Sequence, residues 1–593
     1  KSNRLDDLIY YDMPEDAEKA FSKLPQGYII LNDKSMFNPT KTQGVPQYGT
    51  FEKVQVEGMP FTEALRANCT EAPVNVYSFK IEMNLSKKFS VGDVVLVTYY
   101  MRRISGGLND TGMGSVLVGI ALNDNSHTEL RVPGEAGDEW VRVYGSVKIT
   151  QKAANKDCKI VIQPSYAEQV VEIGGLQVIS YGKSIKLEDM PESAAYEGME
   201  PDAQWRKDAL ARIEQIRKGD INIIVKDKKG NPVTNADVRI DMTEHEFEFG
   251  VAISTALLPE HTNRTLDETK KYQENLIKYF NSVVLESHHK WKYYEENPKI
   301  ANDLVDWCLE NGIRHVRGHT LVWDTGTPHP DVEAAINDRK ALDNVIKTKI
   351  FNVAGDFKGR VQEWDVTNEL LRDNRFILNR YDKEIILDWY KWAKEAAPDA
   401  KQYMNENRIS GSELKRTRDR VIPFIDSLIE LGLKFDGIGL QGHMTRQSSP
   451  QTFYEEIELF AKYGKELKVT EFDFLEPDKN YQANLTRDMM IIMFSHEAIK
   501  GFYAWGMWDG SAAQDRLLFT KDWRLKSCGI VYEDLVYNKW WTRESGKTGE
   551  DGMYSTRGFY GEYDITVSKD GITKTVGAAF LKGKGNTVAI TLE

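Results

Sequence analysis

The sequence predicts a multidomain protein with a central (β/α)8 TIM barrel, an N-terminal β-sandwich of the jelly-roll type and a small β-domain flanking the barrel. Three observations support this fold class. The chain has 593 residues, more than one hydrophobic core usually supports. Short β-type runs separated by Gly, Asn and Asp fill residues 28–183. Strand-like and helix-like segments then alternate eight times over residues 249–543.

The composition favours a protein that acts on an uncharged ligand. The chain carries 90 acidic against 77 basic residues, for a net charge of -13, which argues against nucleic acid or an anionic membrane as the main partner. No stretch is long and apolar enough to predict a membrane span. Aromatic residues make up 11% of the chain, enough to leave ring surfaces for stacking against a ligand.

The four cysteines lack the spacing of a metal site. Cys69 and Cys158 fall in the same predicted domain, so they could form a disulfide, and the alternative is that all four cysteines are buried thiols. The other two are Cys308 and Cys528. We therefore expect no zinc site, and the chemistry predicted below calls for no metal and no organic cofactor.

Composition divides the chain before the barrel into four segments. They are an N-terminal extension, a β-sandwich, an acidic irregular linker and a helix followed by a β-hairpin, at residues 1–27, 28–183, 184–204 and 205–248. The hairpin prediction depends on two apolar runs, 221–225 and 238–242, on either side of a Gly-Asn-Pro turn.

Alternating strands also fill the C-terminal segment, residues 544–593. A single hairpin is only marginally stable in water. We therefore predict that these strands pack with residues 219–248 in one small β-domain.

The barrel strands are predicted from apolar runs, and helical spacing fills the gaps between them. The strands are 249–254, 282–287, 315–323, 361–369, 401–405, 437–443, 468–472 and 501–507. Among the helices are 301–311, 383–397, 413–431 and 484–500. In such a barrel the chemistry lies at the carboxyl ends of the strands.

Two carboxylates stand out at those strand ends. Glu369 follows the fourth strand and Glu471 lies in the seventh, and these strands face each other across a barrel. Cleavage of a glycosidic bond requires two carboxylates that meet over one pocket. The other polar or aromatic residues near strand ends are Glu286, Lys290, His319, Trp323, Asn368, Asn405, Gln441, His443, Asp473 and Trp505.

Four motifs resemble those of glycoside hydrolase family 10, the retaining endo-β-1,4-xylanases. They are Gly318-His-Thr-Leu-Val-Trp323, Trp364-Asp-Val-Thr-Asn-Glu369, Gly437-Ile-Gly-Leu-Gln-Gly-His443 and Val469-Thr-Glu-Phe-Asp473. They occur in the family's order, and the resemblance covers about half of the chain. It implies that Glu369 is the acid/base and Glu471 the nucleophile of a double displacement.

The same resemblance implies supporting and sugar-binding roles. Asn368 and His443 would support the two carboxylates, and the substrate-binding residues would be Glu286, Lys290, His319, Trp323, Gln441 and Trp505. The residues alone leave alternatives open. Glu286 and Lys290 could form a surface ion pair, His319 could be a core histidine, and Asn405 could be functional or structural.

The chain departs from the common family pattern at several places. Ser287 replaces a sugar-binding Asn, and Asp324 stands where many members carry a second His. These changes, together with Trp508-Asp-Gly510 and residues 534–542, are more similar to the plant-type branch of the family. The departures alter the residues expected at the second glycone subsite, where they would change the substrate preference.

The N-terminal sandwich resembles carbohydrate-binding modules of families 4, 9 and 22. The similarity lies in residues 137–143 and 172–178, and it implies that the module binds glycan. Trp140 begins a strand, a position that favours a role in the core over a role as a sugar platform.

The leading hypothesis is retaining endo-hydrolysis of β-1,4-xylosidic bonds in xylan or arabinoxylan. The second is a retaining hydrolase of another β-glycan on the same barrel, and the third is a non-catalytic glycan-binding protein. In each case the partner is a polysaccharide. A polymer substrate predicts action outside the cytoplasm, as a secreted, periplasmic or cell-surface protein whose signal peptide is removed. The sequence does not determine the oligomeric state.

Overall fold

The computed structural model describes residues 4–85, 89–108, 112–122, 127–152, 158–512 and 515–593. A short helix, α1 (Ala17–Ser22), precedes a β-sandwich. The sandwich strands are β1 Tyr28–Asn32, β2 Lys41–Gln43, β3 Gly49–Gln55, β4 Glu63–Cys69, β5 Lys80–Asn84, β6 Val94–Gly106, β7 Gly114–Leu122, β8 His127–Ala136, β9 Val141–Lys148, β10 Cys158–Gln163 and β11 Gln169–Ser180.

Two antiparallel sheets face each other in this sandwich. One has the order β3-β4-β11-β6-β9, with β1 also paired to β11, and the other has the order β2-β5-β10-β7-β8. Alternate residues of β6, such as Val95, Val97 and Tyr99, are buried against Val118 and Ile120 of β7. A period of two places these side chains on one face of the sheet.

All four cysteines are buried thiols outside any disulfide. The predicted alternative of a Cys69–Cys158 disulfide is therefore wrong. The two residues end and begin strands of different sheets, β4 and β10. Burial raises the pKa of the Cys69 thiol to about 12, so it behaves as a small apolar side chain.

A closed barrel of eight parallel strands forms the centre of the molecule. Before it come α2 Gln204–Ile216, β12 Lys218–Lys226 and β13 Asp237–His245. The barrel strands are β14 Glu248–Ile253, β15 Ser282–Leu285, β16 His315–Trp323, β17 Glu363–Asn368, β18 Lys401–Glu406, β19 Gly437–Leu440, β20 Glu466–Phe472 and β21 Ile499–Ala504. This arrangement confirms the predicted fold class.

Helices cover the outside of the barrel. They are α3 Leu266–Tyr279, α4 Trp291–Glu296, α5 Pro298–Glu310, α6 Pro330–Ala335, α7 Arg339–Asp356, α8 Ile385–Ala396, α9 Leu414–Arg416, α10 Ile422–Glu430, α11 Pro450–Ala461, α12 Lys479–Phe494 and α13 Ser527–Asp534. The predicted helix 484–500 was wrong at both ends, because α12 begins at Lys479 and ends before β21.

The C-terminal strands pair with the strands that precede the barrel. They are β22 Arg543–Lys547, β23 Met553–Phe559, β24 Gly561–Lys569, β25 Ile572–Phe580 and β26 Thr587–Thr591. One sheet has the order β23-β12-β26 and the other the order β22-β13-β24-β25. Ile221, Ile223, Ile240, Ile565 and Ile590 are buried between them.

The predicted hairpin is therefore wrong, since β12 and β13 belong to different sheets. Each strand has one apolar face, and both faces are buried when the strands lie in two opposed sheets. The connection, residues 227–236, crosses from one sheet to the other. C-terminal strands supply the hydrogen-bonding partners that a hairpin would have supplied.

The segments before α2 pack closely on the barrel. Tyr11 exchanges hydrogen bonds with the Asn484 side chain of α12, and Tyr196 donates to Asp488 at 2.7 Å. Arg446, on the loop after β19, forms an ion pair with Glu192 at 2.9 Å. The segment predicted as a linker is thus irregular in conformation but buried in part.

In the part of the chain that the structure describes, no helix combines the length and the apolar character needed to cross a lipid bilayer.

Candidate functional site

Glu369 stands at the carboxyl end of β17 in an unusual backbone conformation. Its φ is +55°, a value that non-glycine residues adopt rarely and mostly where the surroundings enforce it. The Glu369 N–H donates to the Asn405 carbonyl at 2.8 Å, which ties it to the neighbouring strand β18. The turn directs the carboxylate out of the strand and into the barrel mouth.

Three side chains donate hydrogen bonds to the Glu369 carboxylate. Trp323 Nε1 reaches Oε2 at 3.2 Å, and Arg372 reaches the same oxygen at 3.1 Å. Gln441 Nε2 reaches Oε1 at 3.1 Å. The structure therefore holds Glu369 as a hydrogen-bond acceptor on both oxygens.

Glu471 lies in β20 and is buried, with 6% of its surface exposed. Asn405 Nδ2 donates to its Oε2 at 2.8 Å, and His443 Nε2 lies 3.2 Å from its Oε1. Burial acts to raise the pKa of Glu471. The His443 hydrogen bond, the charges of His319 and His443, and the Asn405 hydrogen bond outweigh it and lower that pKa to about 2.

His443 is held between two carboxylates. Its Nδ1 lies 2.8 Å from Asp473 Oδ1, on the opposite side of the ring from Glu471. Burial acts to lower the pKa of His443, but Asp473 and Glu471 together raise it well above its ordinary value. A protonated His443 donates from both ring nitrogens and keeps Glu471 ionised.

Three carboxamides link the two carboxylates. Asn368 Oδ1 accepts from Gln441 Nε2 at 3.1 Å and from Asn405 Nδ2 at 3.0 Å. Gln441 also reaches Glu369, and Asn405 also reaches Glu471. Asn405, which the sequence left open between a functional and a structural role, is thus a direct partner of Glu471.

On the other side of the mouth, Glu286 pairs with Arg516 at 2.9 Å. The predicted alternative of a Glu286–Lys290 ion pair is therefore wrong. Lys290 Nζ lies 5.0 Å from the Trp323 ring. Burial lowers the pKa of Lys290, and the carboxylates of Glu471, Glu286 and Glu369 oppose that shift.

His319 is buried but connected to the mouth. Its Nδ1 lies 2.8 Å from Asp365 Oδ2, and its ring meets that of Trp505 edge-on at 5.7 Å. Arg317 donates to the same Asp365 carboxylate at 3.2 and 2.5 Å. Asp365 thus fixes the orientation of His319 from inside the barrel.

The positions that depart from the family pattern have structural partners. Asp324 accepts hydrogen bonds from the N–H groups of Phe376, Ile377 and Leu378 at 2.9, 2.8 and 2.8 Å. Trp508 stacks on Trp523 with ring centroids 4.4 Å apart. Asp324 therefore anchors the loop that follows Glu369.

The sequence predicted the residues at strand ends but missed two arginines. Arg372 lies three residues after Glu369, and Arg516 lies 230 residues from its partner Glu286. Neither belongs to a motif that the sequence singled out. For Arg372 the signal was its spacing of three residues from Glu369, which brings the two side chains together in a turn.

Among the residues described, three groups combine a histidine with carboxylates closely enough to suggest a metal site. The most buried is Glu248, His315 and Glu363, which lies at the amino ends of the barrel strands, away from Glu369 and Glu471. Lys468 already pairs with Glu248 and Glu363. The Lys468 ammonium group thus supplies positive charge to this cluster of carboxylates.

Residues 240–528 match the family described as Glycosyl hydrolase family 10. Anti-sigma-I factor RsgI6 of Acetivibrio thermocellus is 30% identical over 378 residues, covering 62% of this chain and 47% of that protein. Endo-1,4-beta-xylanase 1 of Arabidopsis thaliana is 23% identical over 485 residues, covering 80% and 47%. Beta-1,4-xylanase of Dictyoglomus thermophilum is 36% identical over 227 residues, covering 36% and 62%. The chain thus spans about half the length of the first two relatives.

Proposed function

We propose that the chain, whose residues 240–528 match the family described as Glycosyl hydrolase family 10, hydrolyses internal β-1,4-xylosidic bonds of xylan or arabinoxylan with retention of configuration. The observation that carries the proposal is the pair Glu369 and Glu471. They stand at the ends of strands four and seven and are joined through Gln441, Asn368 and Asn405. Glycoside hydrolases use two carboxylates that lie on either side of the bond being cleaved.

The two carboxylates have different environments and therefore different roles. A pKa of about 2 keeps Glu471 ionised, so its oxygen attacks the anomeric carbon. Glu369 gives a proton to the leaving glycosidic oxygen as that bond breaks. Water, deprotonated by Glu369, then displaces Glu471 and releases the second product.

The surrounding residues bind the sugar being cleaved. Asn368 uses its Oδ1 to accept two hydrogen bonds, which leaves its Nδ2 to donate to a sugar hydroxyl. His319, Lys290 and Glu286 offer further polar groups on the same side of the mouth. Trp505 supplies an apolar ring surface against which the sugar packs.

The substrate proposal is supported by relatives whose names state xylanase activity. The Arabidopsis thaliana and Dictyoglomus thermophilum proteins are named as β-1,4-xylanases, and a net charge of -13 argues against nucleic acid as the polymer. Because such a polymer cannot cross a membrane intact, the proposal places the enzyme outside the cytoplasm.

Substitution of each carboxylate tests the chemistry. We expect Glu471→Ala and Glu369→Ala each to lower kcat on xylan, by about 10²- to 10⁴-fold for the acid/base and at least as much for the nucleophile. The reason is that neither step of the displacement proceeds without its carboxylate. The measurement is reducing-sugar release from xylan, and Glu260→Ala, which removes an exposed carboxylate after β14, is the matched control.

The stereochemistry is read in the same experiment by NMR of the first products. Retention predicts that the β-anomer forms before mutarotation. An α-anomer as the first product, or near-normal activity in either variant, would refute the retaining assignment.

The alternatives predict different results on a substrate panel. Hydrolysis of cellulose or mannan with none of xylan would indicate another β-glycan as substrate. Retention of the chain by xylan in affinity electrophoresis without any product would indicate a non-catalytic glycan-binding protein. The connection of Glu369 to Glu471 through Gln441, Asn368 and Asn405 favours catalysis over a non-catalytic role.

A further inference from the structure

We propose that Arg372 is a specificity residue that favours xylan carrying a carboxylate-bearing sugar on the leaving-group side of the cleaved bond. This inference rests on the proposed function and names the preferred substrate class of the same site. It starts from the contact between Arg372 and the acid/base carboxylate.

Arg372 lies at the rim of the site on the loop that follows β17. Its guanidinium donates to Glu369 Oε2 at 3.1 Å and lies 5.7 Å from the Trp323 ring. Its side chain is 27% exposed, and its Nε is buried without a partner in the described part of the chain. Arg372 is therefore held by Glu369 more than by the protein around it.

This contact conflicts with proton donation. A general acid must carry a proton on one of its carboxyl oxygens, and Glu369 Oε2 already accepts from Arg372 and from Trp323. A proton on that oxygen would face two donors. Protonation of Glu369 on Oε2 therefore requires one of these donors to withdraw.

Arg372 is the donor that moves most easily. Gln441 is 2% exposed and is fixed by a second hydrogen bond to Asn368, and Trp323 ends a barrel strand. Arg372 has a long flexible side chain on a loop. We therefore expect substrate binding to turn Arg372 away from Glu369.

A carboxylate on the substrate would attract the Arg372 guanidinium away from Glu369. Arginine binds carboxylates in a bidentate geometry, and the nearby acidic groups are already engaged. Asp373 pairs with Arg420 at 3.3 Å, and Asp324 is occupied by the backbone of residues 376–378. Among the described residues, Glu369 is the one carboxylate that contacts Arg372.

The location of Arg372 identifies the side of the bond. Glu286, Lys290 and Trp505, which we propose bind the sugar being cleaved, follow β15 and β21 and form one half of the mouth. Arg372 follows β17, and the next loop carries Arg408, which approaches Tyr77 of the sandwich at 5.5 Å. Arg372 therefore faces the half that receives the leaving group.

Two kinds of substrate then differ in whether they offer Arg372 a new carboxylate in place of Glu369. An uncharged xylan must separate Arg372 from Glu369 without replacing the ion pair. With an acid-substituted xylan, Arg372 leaves the Glu369 carboxylate and binds the carboxylate of the substrate instead. Ion pairs with this degree of exposure are worth up to about 1 kcal/mol, so we expect a preference of about fivefold in kcat/KM.

The experiment compares glucuronoxylan with the same polymer after chemical reduction of its carboxyl groups to alcohols. The side-group size is then nearly constant, and only the charge changes. We expect the unaltered protein to prefer the acidic polymer, and the preference to fall as NaCl is raised because salt screens exposed charges. Arg372→Gln should abolish the preference, and Arg372→Lys should keep part of it.

Arg380→Gln is the matched control, since Arg380 is exposed on the same loop and its side chain does not contact Glu369. It should keep the full preference. Equal kcat/KM on the two polymers for the unaltered protein, or a preference that survives in Arg372→Gln, would overturn the inference while leaving xylan hydrolysis established. Failure to cleave either polymer would instead overturn the proposed function.

Discussion

At the scale of single residues, the charge of Glu471 is set by His443 and Asp473. Asp473 raises the pKa of His443, and the His443 hydrogen bond lowers the pKa of Glu471. The folded pKa of Glu471 lies below its ordinary value of 4.5. Its ionised form therefore stabilises the fold above about pH 4.5, and this contribution is lost as the pH falls toward 2.

We predict that His443→Gln moves the acidic limb of the kcat/KM profile to higher pH, by at least about one unit. The reason is that the neutral amide removes the positive charge beside Glu471 and leaves burial to raise its pKa. The measurement is kcat/KM on xylan from pH 3 to 8. His496→Gln, at the amino end of β21, should leave the limb in place, and an unmoved limb in His443→Gln would contradict this account of Glu471.

The grouping of the candidate site residues could be predicted because each stands near the end of a barrel strand. Glu369 and Glu471 were identified in this way, and the structure brings them together through Gln441, Asn368 and Asn405. The pairing of Arg516 with Glu286 could not be predicted, because it depends on two loops that meet only when the barrel closes.

At the scale of elements, the loop after β17 owes its shape to Asp324. This carboxylate accepts hydrogen bonds from the three consecutive backbone N–H groups of residues 376–378. Asp324 is 5% exposed. Hydrogen bonds to charged groups contribute about 1.5–3 kcal/mol each at most. The same loop carries Arg372, so its conformation affects the rim of the site.

We predict that Asp324→Ala loosens this loop without unfolding the barrel. Hydrogen exchange of the amides of residues 376–378 should become at least about tenfold faster, because their acceptor is lost. Exchange in β17 should stay unchanged and serves as the internal control. Full protection of the three amides in the variant would show that Asp324 is not the anchor.

Helix α12 illustrates why element boundaries were harder to predict than elements. All its residues from Tyr481 to Phe494 are buried, so an amphipathic pattern was missing. Its polar residues are satisfied by distant segments, for example Asp488 by Arg206 at 2.7 Å and Asn484 by Tyr11. A helix covered on every side has no polar face to mark where it begins.

At the scale of the molecule, the chain after the barrel completes a domain that begins before it. Strands β12 and β13 find their partners in β22, β23, β24 and β26. Ile221, Ile223 and Ile240 would become exposed if those partners were absent.

We predict that truncation after residue 543 yields an aggregating or strongly destabilised protein. It leaves open strand edges and an apolar sheet face in water. Solubility and the thermal transition of the truncated and full-length chains measure the effect. A soluble truncated protein with an unchanged transition would contradict this dependence, as would release of 544–593 as a stable proteolytic fragment.

The sandwich lies beside the loops that follow β18 and β19. Gln447 reaches Tyr166 at 3.2 Å, and Arg446 bridges Glu192 and Glu476 at 2.9 and 2.5 Å. These contacts place the sandwich next to the half of the mouth that we infer receives the leaving group. Glycan binding by this module stays a prediction, and Trp140 is half-buried against Phe61.

The sequence by itself determined the barrel, the sandwich and the positions of the two carboxylates at the strand ends. These features follow from local periodicity and from the rule that parallel strands present their carboxyl ends at one face. The tertiary structure decided the partners: β12 and β13 in opposed sheets, Glu286 with Arg516, and Arg372 on Glu369. Such pairings join residues through loop closure and shared burial, and no local pattern records which distant partner satisfies a given strand edge or charge.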